Sequence, residues 1–159
     1  MYARDHALIA TPVGPLRIEG DDAQVTGLWI GGEGQAQAGS ATAVRLAAEQ
    51  LGQWFAGERR DFDLPLAPAG TPRGEALRAG LVAVPYGETL SYGALAEQLG
   101  SSARAIGQLC ARNPFPIVVP CHRVLAGGGR LGHYSAGEGP ATKSWLLEHE
   151  RRHSGRTLL

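Results

Sequence analysis

Asn113-Pro114-Phe115-Pro116-Ile117-Val118-Val119-Pro120-Cys121-His122-Arg123-Val124 is the stretch on which the reading of this chain turns. Ile117, Val118 and Val119 read as a short buried strand that delivers Cys121 at its end, held by Pro120 and followed by His122. A cysteine so placed is a candidate nucleophile. The thiolate is its reactive form, and a free thiol with a pKa of about 8.5 needs help at neutral pH. A histidine can take the proton, and a carboxylate can orient that histidine. Taken alone, the pair reads rather as a buried cysteine beside a surface histidine.

Upstream, the pattern is helical. Residues 73–84 form one expected helix, stopped by Pro85-Tyr86-Gly87. Residues 91–99 form a second, with Tyr92, Leu95, Ala96 and Leu99 on one face. Gly100-Ser101-Ser102 turns the chain into a third, residues 103–112, stopped by Asn113-Pro114. Two short helices joined by a tight glycine turn suggest a helix-turn-helix. In its second helix Ile106, Leu109 and Cys110 face inward. Ala103, Gly107 and Ala111 recur on another face with almost no side chain, and Arg104 lies beside them. A small face admits close approach of a partner backbone. That partner is either a neighbouring helix or a DNA minor groove, with the arginine entering the base stack.

The first part of the chain has another texture. Residues 6–10, 15–19 and 24–30 read as strands, and Gly31 to Ser40 as a loop. Thr42 is expected to cap a helix over residues 42–55 with Val44, Ala47, Ala48, Leu51 and Phe55 on its stripe. Residues 61–66 read as a returning strand, and Pro65 to Pro72 as a linker.

Composition bounds the rest. In 159 residues, fifteen basic side chains balance fifteen acidic ones, so net charge drives no sweep toward nucleic acid, although a local face can still bind it. No apolar run approaches the roughly 20 residues of a membrane span, and the start lacks a signal-peptide layout. Two cysteines, Cys110 and Cys121, are too few for a disulfide framework and suit free thiols in a reducing cytoplasm. Cys121 with His122, His133, His149 and His153 matches no common zinc spacing. Arg151, Arg152, His153 and Arg156 form a small basic tail, read as a solvated end or a minor phosphate contact.

The motif of residues 113–124 closely resembles the active-site signature of the O6-alkylguanine-DNA alkyltransferases. Pro85-Tyr-Gly-Glu-Thr-Leu-Ser-Tyr92-Gly resembles that family's approach to its helix-turn-helix, and Ala103-Arg104-Ala105-Ile106-Gly107 its recognition helix. Leu131-Gly-His-Tyr134-Ser135 and Lys143-Ser-Trp145-Leu-Leu-Glu-His-Glu150 resemble its substrate loop and last helix. The likeness covers residues 71–150. The first 70 residues fit the family's small sheet-and-helix domain in outline.

The resemblance implies an α+β fold in two domains. Residues 1–70 would be an α/β domain, ribonuclease-H-like in the family. Residues 71–159 would be a mostly helical, winged-helix-like domain that binds DNA and accepts the alkyl group. It implies direct repair, in which one alkyl group passes irreversibly from O6-alkylguanine in duplex DNA, with O4-alkylthymine as a further candidate substrate, to Cys121. His122 would act on Cys121 through a water, and Glu150 would orient His122. Asn113 would fix the turn between recognition helix and acceptor. Tyr92 would help rotate the nucleotide out and assist protonation of the departing guanine. Arg104 would fill the vacated stack, on a helix face that includes Ala103, Ala105 and Gly107. Tyr134 and Ser135 would contact the flipped base, with Cys110 near the pocket. Arg123 would be structural. The resemblance implies no cofactor and no metal; the zinc site that some members hold in the first domain has no ligands here. It implies a monomer in the cytoplasm, nucleoid-associated in a bacterium.

Three features depart from the family pattern. The turn between the two helices is shorter than in the human-type members. Arg73, Leu77 and Arg78 stand where aromatics are usual, and the loop Ala136-Gly137-Glu138-Gly139-Pro140 is longer. The loop change bears on pocket size and not on Cys121 chemistry. Cys110 reads as an apolar filler, since free cysteine is commonly buried. The alternative is a second thiol able to pair with Cys121 under oxidation. Three other functions compete: a non-enzymatic damage binder, which would replace the cysteine; a helix-turn-helix regulator, which would carry base-reading side chains where Ala103, Gly107 and Ala111 stand; and a cysteine hydrolase, which would take its base from elsewhere in the fold.

Overall fold

The computed structural model describes residues 3–155, so Arg156 of the basic tail lies outside the described residues. The chain divides into two compact units, Met1–Ala67 and Pro68–Leu159. No helix among the described residues is long and apolar enough to cross a membrane.

In the first unit, β1 (Asp5–Ile9), β2 (Leu16–Gly20) and β3 (Val25–Ile30) form an antiparallel meander. Its register sets Ala7 opposite Ile18 and Ile18 opposite Leu28, so one face carries the apolar side chains. Helix α1 (Thr42–Phe55) buries Val44, Ala47, Leu51 and Trp54. Two expectations fail here. Trp54, not Phe55, completes the buried stripe, because steps of three, four and three residues keep Val44, Ala47, Leu51 and Trp54 in line. Phe55 lies at the edge of that stripe, its ring edge-on to Trp54 at 5.0 Å. Nor does Thr42 cap the helix. Ala41 holds the cap position without a side-chain bond, and the carboxylate of Asp5 accepts from the Ser40 and Ala41 amides at 2.6 and 2.8 Å. Asp22 accepts from Thr42 N at 2.8 Å. Carboxylates distant in sequence satisfy the helix start, which local cap rules do not foresee.

Residues 61–66 form no strand. Leu66 makes a single bridge to Val25, and the buried Gln50 side chain pairs with Asp63 in both directions, at 3.1 and 2.9 Å. One side-chain amide thus does the work expected of a backbone ladder.

In the second unit three helices start on a short hydroxyl. Thr71 accepts from Gly74 N before α2 (Pro72–Val82), Ser91 from Ala94 N before α3 (Tyr92–Gln98), and Ser102 from Ala105 N before α4 (Ala103–Ala111), each at 3.0 Å. Gly100, at a φ of 62°, makes the tight turn from α3 to α4. Two short strands, β4 (Leu90–Ser91) and β5 (Val124–Leu125), pair in parallel. Helix α5 (Pro140–Ser154) closes the unit. The core gathers Leu81, Leu95, Ile106, Phe115, Ile117 and Leu146.

The expected strand at Ile117–Val119 is a compact buried turn, with Ile117 at a φ of 75°. Burial was legible in this apolar run, but its backbone path was not. Pro114, Pro116 and Pro120 have no N–H to give a ladder. The Asn113 side chain instead ties the turn from within, accepting from Phe115 N at 2.9 Å and donating to Val119 O at 2.8 Å. A β-branched residue in the left-handed region is strained by about 1–3 kcal/mol and persists only where its surroundings hold it.

Candidate active site

Cys121 opens a 3-10 turn, Cys121–Arg123, directly after this knot. Its side chain is 3% exposed, and Sγ accepts from Asn113 Nδ2 at 3.3 Å. Asn113 therefore binds the turn and the thiol with one amide. Burial pushes the Cys121 thiol well up, as does its contact with the Cys110 thiol; the Asn113 bond and the Lys143 charge oppose this. At rest Cys121 is a protonated thiol in need of a base.

A histidine able to serve as one lies next to it in the chain. His122 is fully buried, and its Nε2 lies 2.8 Å from Glu150 Oε2. Burial pulls His122 below its usual value, and the charges of Arg123 and Lys143 add to this against the pull of Glu150. Burial would raise Glu150, but the hydrogen bonds and charges of His122 and Arg123 overcome it and bring the carboxyl down to about 2. An ionised carboxylate only accepts, so His122 Nε2 donates and neutral imidazole keeps Nδ1 as its basic nitrogen. That is the tautomer a proton acceptor requires.

Arg123 completes the frame. It donates to both Glu150 oxygens, at 3.0 Å from Nε and 2.8 Å from Nη2, and to Val84 O at 2.6 Å from Nη1. Gly87 N adds a bond to Glu150 Oε1 at 3.2 Å. Gly87 sits at a φ of 80°, and a Cβ there would stand 2.7 Å from the Ser154 side chain. Only glycine fits this approach to α5.

In front of Cys121 lies a cavity of about 420 Å³. Tyr92, Arg104, Gly107, Cys110, Tyr134 and Ser135 line it together with Ala103, Ala111 and Cys121. Burial, reinforced by the two cysteines, raises the Tyr92 hydroxyl to about 12, and burial raises Tyr134 further. Both stay hydrogen-bond donors at neutral pH. Asn113, His122 and Glu150 form the layer behind the sulfur. Ala105 does not line this cavity; it lines a different groove, with Arg73, Arg78 and Arg112.

Lys143 was quoted in the last-helix motif without a role, since a helical lysine ordinarily reads as solvated surface. It is fully buried. Its Nζ donates to Val124 O at 2.7 Å and His133 O at 3.2 Å and stands 5.7 Å from the centre of the Tyr92 ring. It thereby joins the segment after Cys121 to the loop that carries Tyr134. No spacing rule signals such a residue.

The small face of α4 is also explained by geometry. Ala103 and Ala111 are exposed, and a Cβ built on Gly107 would meet nothing within 4 Å. Packing within the protein therefore does not demand small residues, which removes the neighbouring-helix reading.

The chain is similar to known proteins. A family model described as the DNA-binding domain of 6-O-methylguanine DNA methyltransferase matches residues 75–152. A methylated-DNA–protein-cysteine methyltransferase of Mycolicibacterium paratuberculosis is 40% identical, over 97% of this chain and 96% of its own. A DNA base-flipping protein of Thermus thermophilus is 42% identical, over 89% of this chain and 97% of its own. The structure of Mycobacterium tuberculosis OGT in complex with DNA superposes with a TM-score of 0.79 at 37% identity, covering 92% of each chain. With a buried Cys-His-Glu array at one cavity, and near full-length likeness on both sequence and structure, the chain belongs to the methylated-DNA–protein-cysteine methyltransferase family.

Proposed function

We propose that this protein repairs duplex DNA by taking the alkyl group from O6-alkylguanine onto Cys121, once per molecule. The observation that carries this is the line Cys121, His122, Glu150 set behind a cavity whose outer lip is the small face of α4. The target oxygen lies inside the duplex, so the nucleotide must leave the stack, at a cost of a few kcal/mol. Ala103 and Gly107 let the α4 backbone approach a minor groove, and Arg104 fills the vacated place. The flipped base enters between Tyr134, Ser135 and the helix.

His122 then takes the Cys121 proton through a water, and the thiolate attacks the alkyl carbon. The S–C bond forms as the C–O6 bond breaks, and Tyr92 helps deliver a proton to the departing guanine. Glu150 holds His122 in its tautomer and Asn113 holds the sulfur. The thioether is stable, and no neighbouring group is placed to remove it. Residues 71–159 form the DNA-binding and acceptor domain, and residues 1–70 the family's N-terminal domain. The protein acts as a monomer in the cytoplasm, on the nucleoid in a bacterial cell, without cofactor or metal.

The relative named as a base-flipping protein favours a second reading, lesion binding without transfer. Cys121 weighs against it. Incubation with a duplex carrying one O6-methylguanine decides: the account expects loss of the lesion in proportion to protein and none with Cys121→Ser. Lesion-specific binding with no loss of methyl would establish the second reading.

Gly107→Leu tests the minor-groove face. Leucine is a better helix former by up to about 1 kcal/mol, so melting should hold or rise. Affinity for duplex DNA, read by fluorescence anisotropy, should fall at least on the order of ten-fold because the side chain blocks the groove. Unchanged affinity would move the DNA face away from α4.

A further inference from the structure

Alkyl transfer uses one of two thiols in the cavity and gives the other no part. Cys110 is half-buried on the α4 wall, whereas Cys121 is nearly sealed. Both line the same cavity, and each thiol shifts the protonation of the other. The chain between them is firmly tied. Asn113 N donates to Cys110 O at 3.3 Å, Val119 N to Phe115 O at 2.9 Å and Cys121 N to Val119 O at 2.8 Å. The Asn113 side chain spans the same turn. The fold therefore holds both thiols at one cavity, on either side of a tied turn.

We propose that Cys110 is an oxidation site whose purpose is to close a reversible disulfide with Cys121. The oxidant is a peroxide. The Cys110 thiolate attacks one peroxide oxygen; the S–O bond forms, the O–O bond breaks, and the hydroxide released takes a proton to become water. Cys110 is now a sulfenic acid. The Cys121 sulfur attacks it; the S–S bond forms, the S–O bond breaks, and the departing hydroxide takes the Cys121 proton as a second water. Two thiols and one peroxide yield one disulfide and two waters.

The order follows from the surroundings. Cys110 is the more accessible sulfur. The neighbouring Cys121 thiol favours its thiolate, burial opposes it and the Lys143 charge assists it. Cys121, pushed up by burial, is the slower to react alone and is suited to resolve. The link would silence the acceptor but keep its sulfur below the sulfinic state, from which ordinary reductants do not recover it. This consequence for repair rests on the proposed function; the link itself does not.

The test uses the full chain. Protein is treated with a few equivalents of hydrogen peroxide, free thiols are blocked, and tryptic peptides are mapped without reduction. Cleavage after Arg104, Arg112 and Arg123 separates peptide 105–112 from peptide 113–123. The expected result is those two peptides joined, lighter than their sum by two hydrogen atoms. Methyl transfer should vanish and return in full after dithiothreitol. In Cys110→Ala and Cys110→Ser, each normalised to its own untreated transfer, no linked peptide should form and peroxide should inactivate more slowly than it does the wild type. Two thiols surviving peroxide, oxidation of Cys121 with Cys110 still free, or a link between molecules would each overturn the proposal. The peptide map needs no DNA, so failure of transfer in untreated protein would sink the proposed function and leave the link standing.

Discussion

Glu150→Gln should cost this protein both its stability and its chemistry. Glu150 is fully buried and anchors Arg123, His122 and Gly87 at once. Removing its charge leaves the Arg123 guanidinium buried and unpaired, a loss of about 3–5 kcal/mol for a broken buried pair. The amide can also turn its NH2 toward His122, which forces the ring into the other tautomer and takes away its base. Single-turnover transfer should slow on the order of 10²-fold or more. Denaturant unfolding and single-turnover kinetics read the two effects.

The same residue sets a pH dependence. Folded Glu150 ionises at about 2 against an ordinary value of 4.5. Its folded value is lowered, so its contribution is present above 4.5 and is lost as pH falls toward 2, about 3 kcal/mol in all. His122 acts in the same sense: its folded value lies below 6.5, so acidification through 6.5 already favours the unfolded chain. Wild-type stability should therefore fall from near pH 6.5 downward. The Glu150→Gln protein should lose less, the two converging in acid. Parallel curves would mean that Glu150 titrates as an ordinary carboxyl.

Asn113→Ala should have the second large effect. Asn113 serves the Cys121 sulfur, Val119 O and Phe115 N together. Phe115 is 1% exposed, so its orphaned N–H finds no water, at a cost of about 1–3 kcal/mol, and Val119 O keeps only its bond from Cys121 N. The strained Ile117 turn loses the bonds that hold it, and the acceptor moves. Asn113→Asp separates geometry from electrostatics. The carboxylate still accepts from Phe115 N, but it sets a negative charge against the sulfur and raises the thiol further. Transfer by the Asp variant should be the slower at neutral pH and rise more steeply with alkali. Equal pH profiles for the two variants would confine Asn113 to holding the turn.

The residues proposed to carry the chemistry were legible through the family resemblance of the motifs that hold them. Cys121, His122, Asn113 and Tyr92 belong to motifs, and the structure sets them around one sulfur or one cavity. Three helices of the second unit were legible because they open on Thr71, Ser91 and Ser102 and close on glycine, proline or a polar turn. What was hidden depended on contacts across the sequence. Asp5 and Asp22 serve the start of α1, Gln50 replaces a strand ladder, and Lys143 is buried between two carbonyls. The Ile117–Val119 run shows the limit most clearly. Apolar side chains report burial, but three prolines and one asparagine decide that the backbone turns there.

The most direct test of the central claim is the intact mass of the protein after incubation with a duplex carrying one O6-methylguanine, followed by mapping of the modified peptide. The account predicts a gain of one methyl group, never more than one per molecule, on Cys121 within peptide 113–123. An unchanged mass while the duplex stays tightly and lesion-specifically bound would contradict it, as would methyl recovered on Cys110.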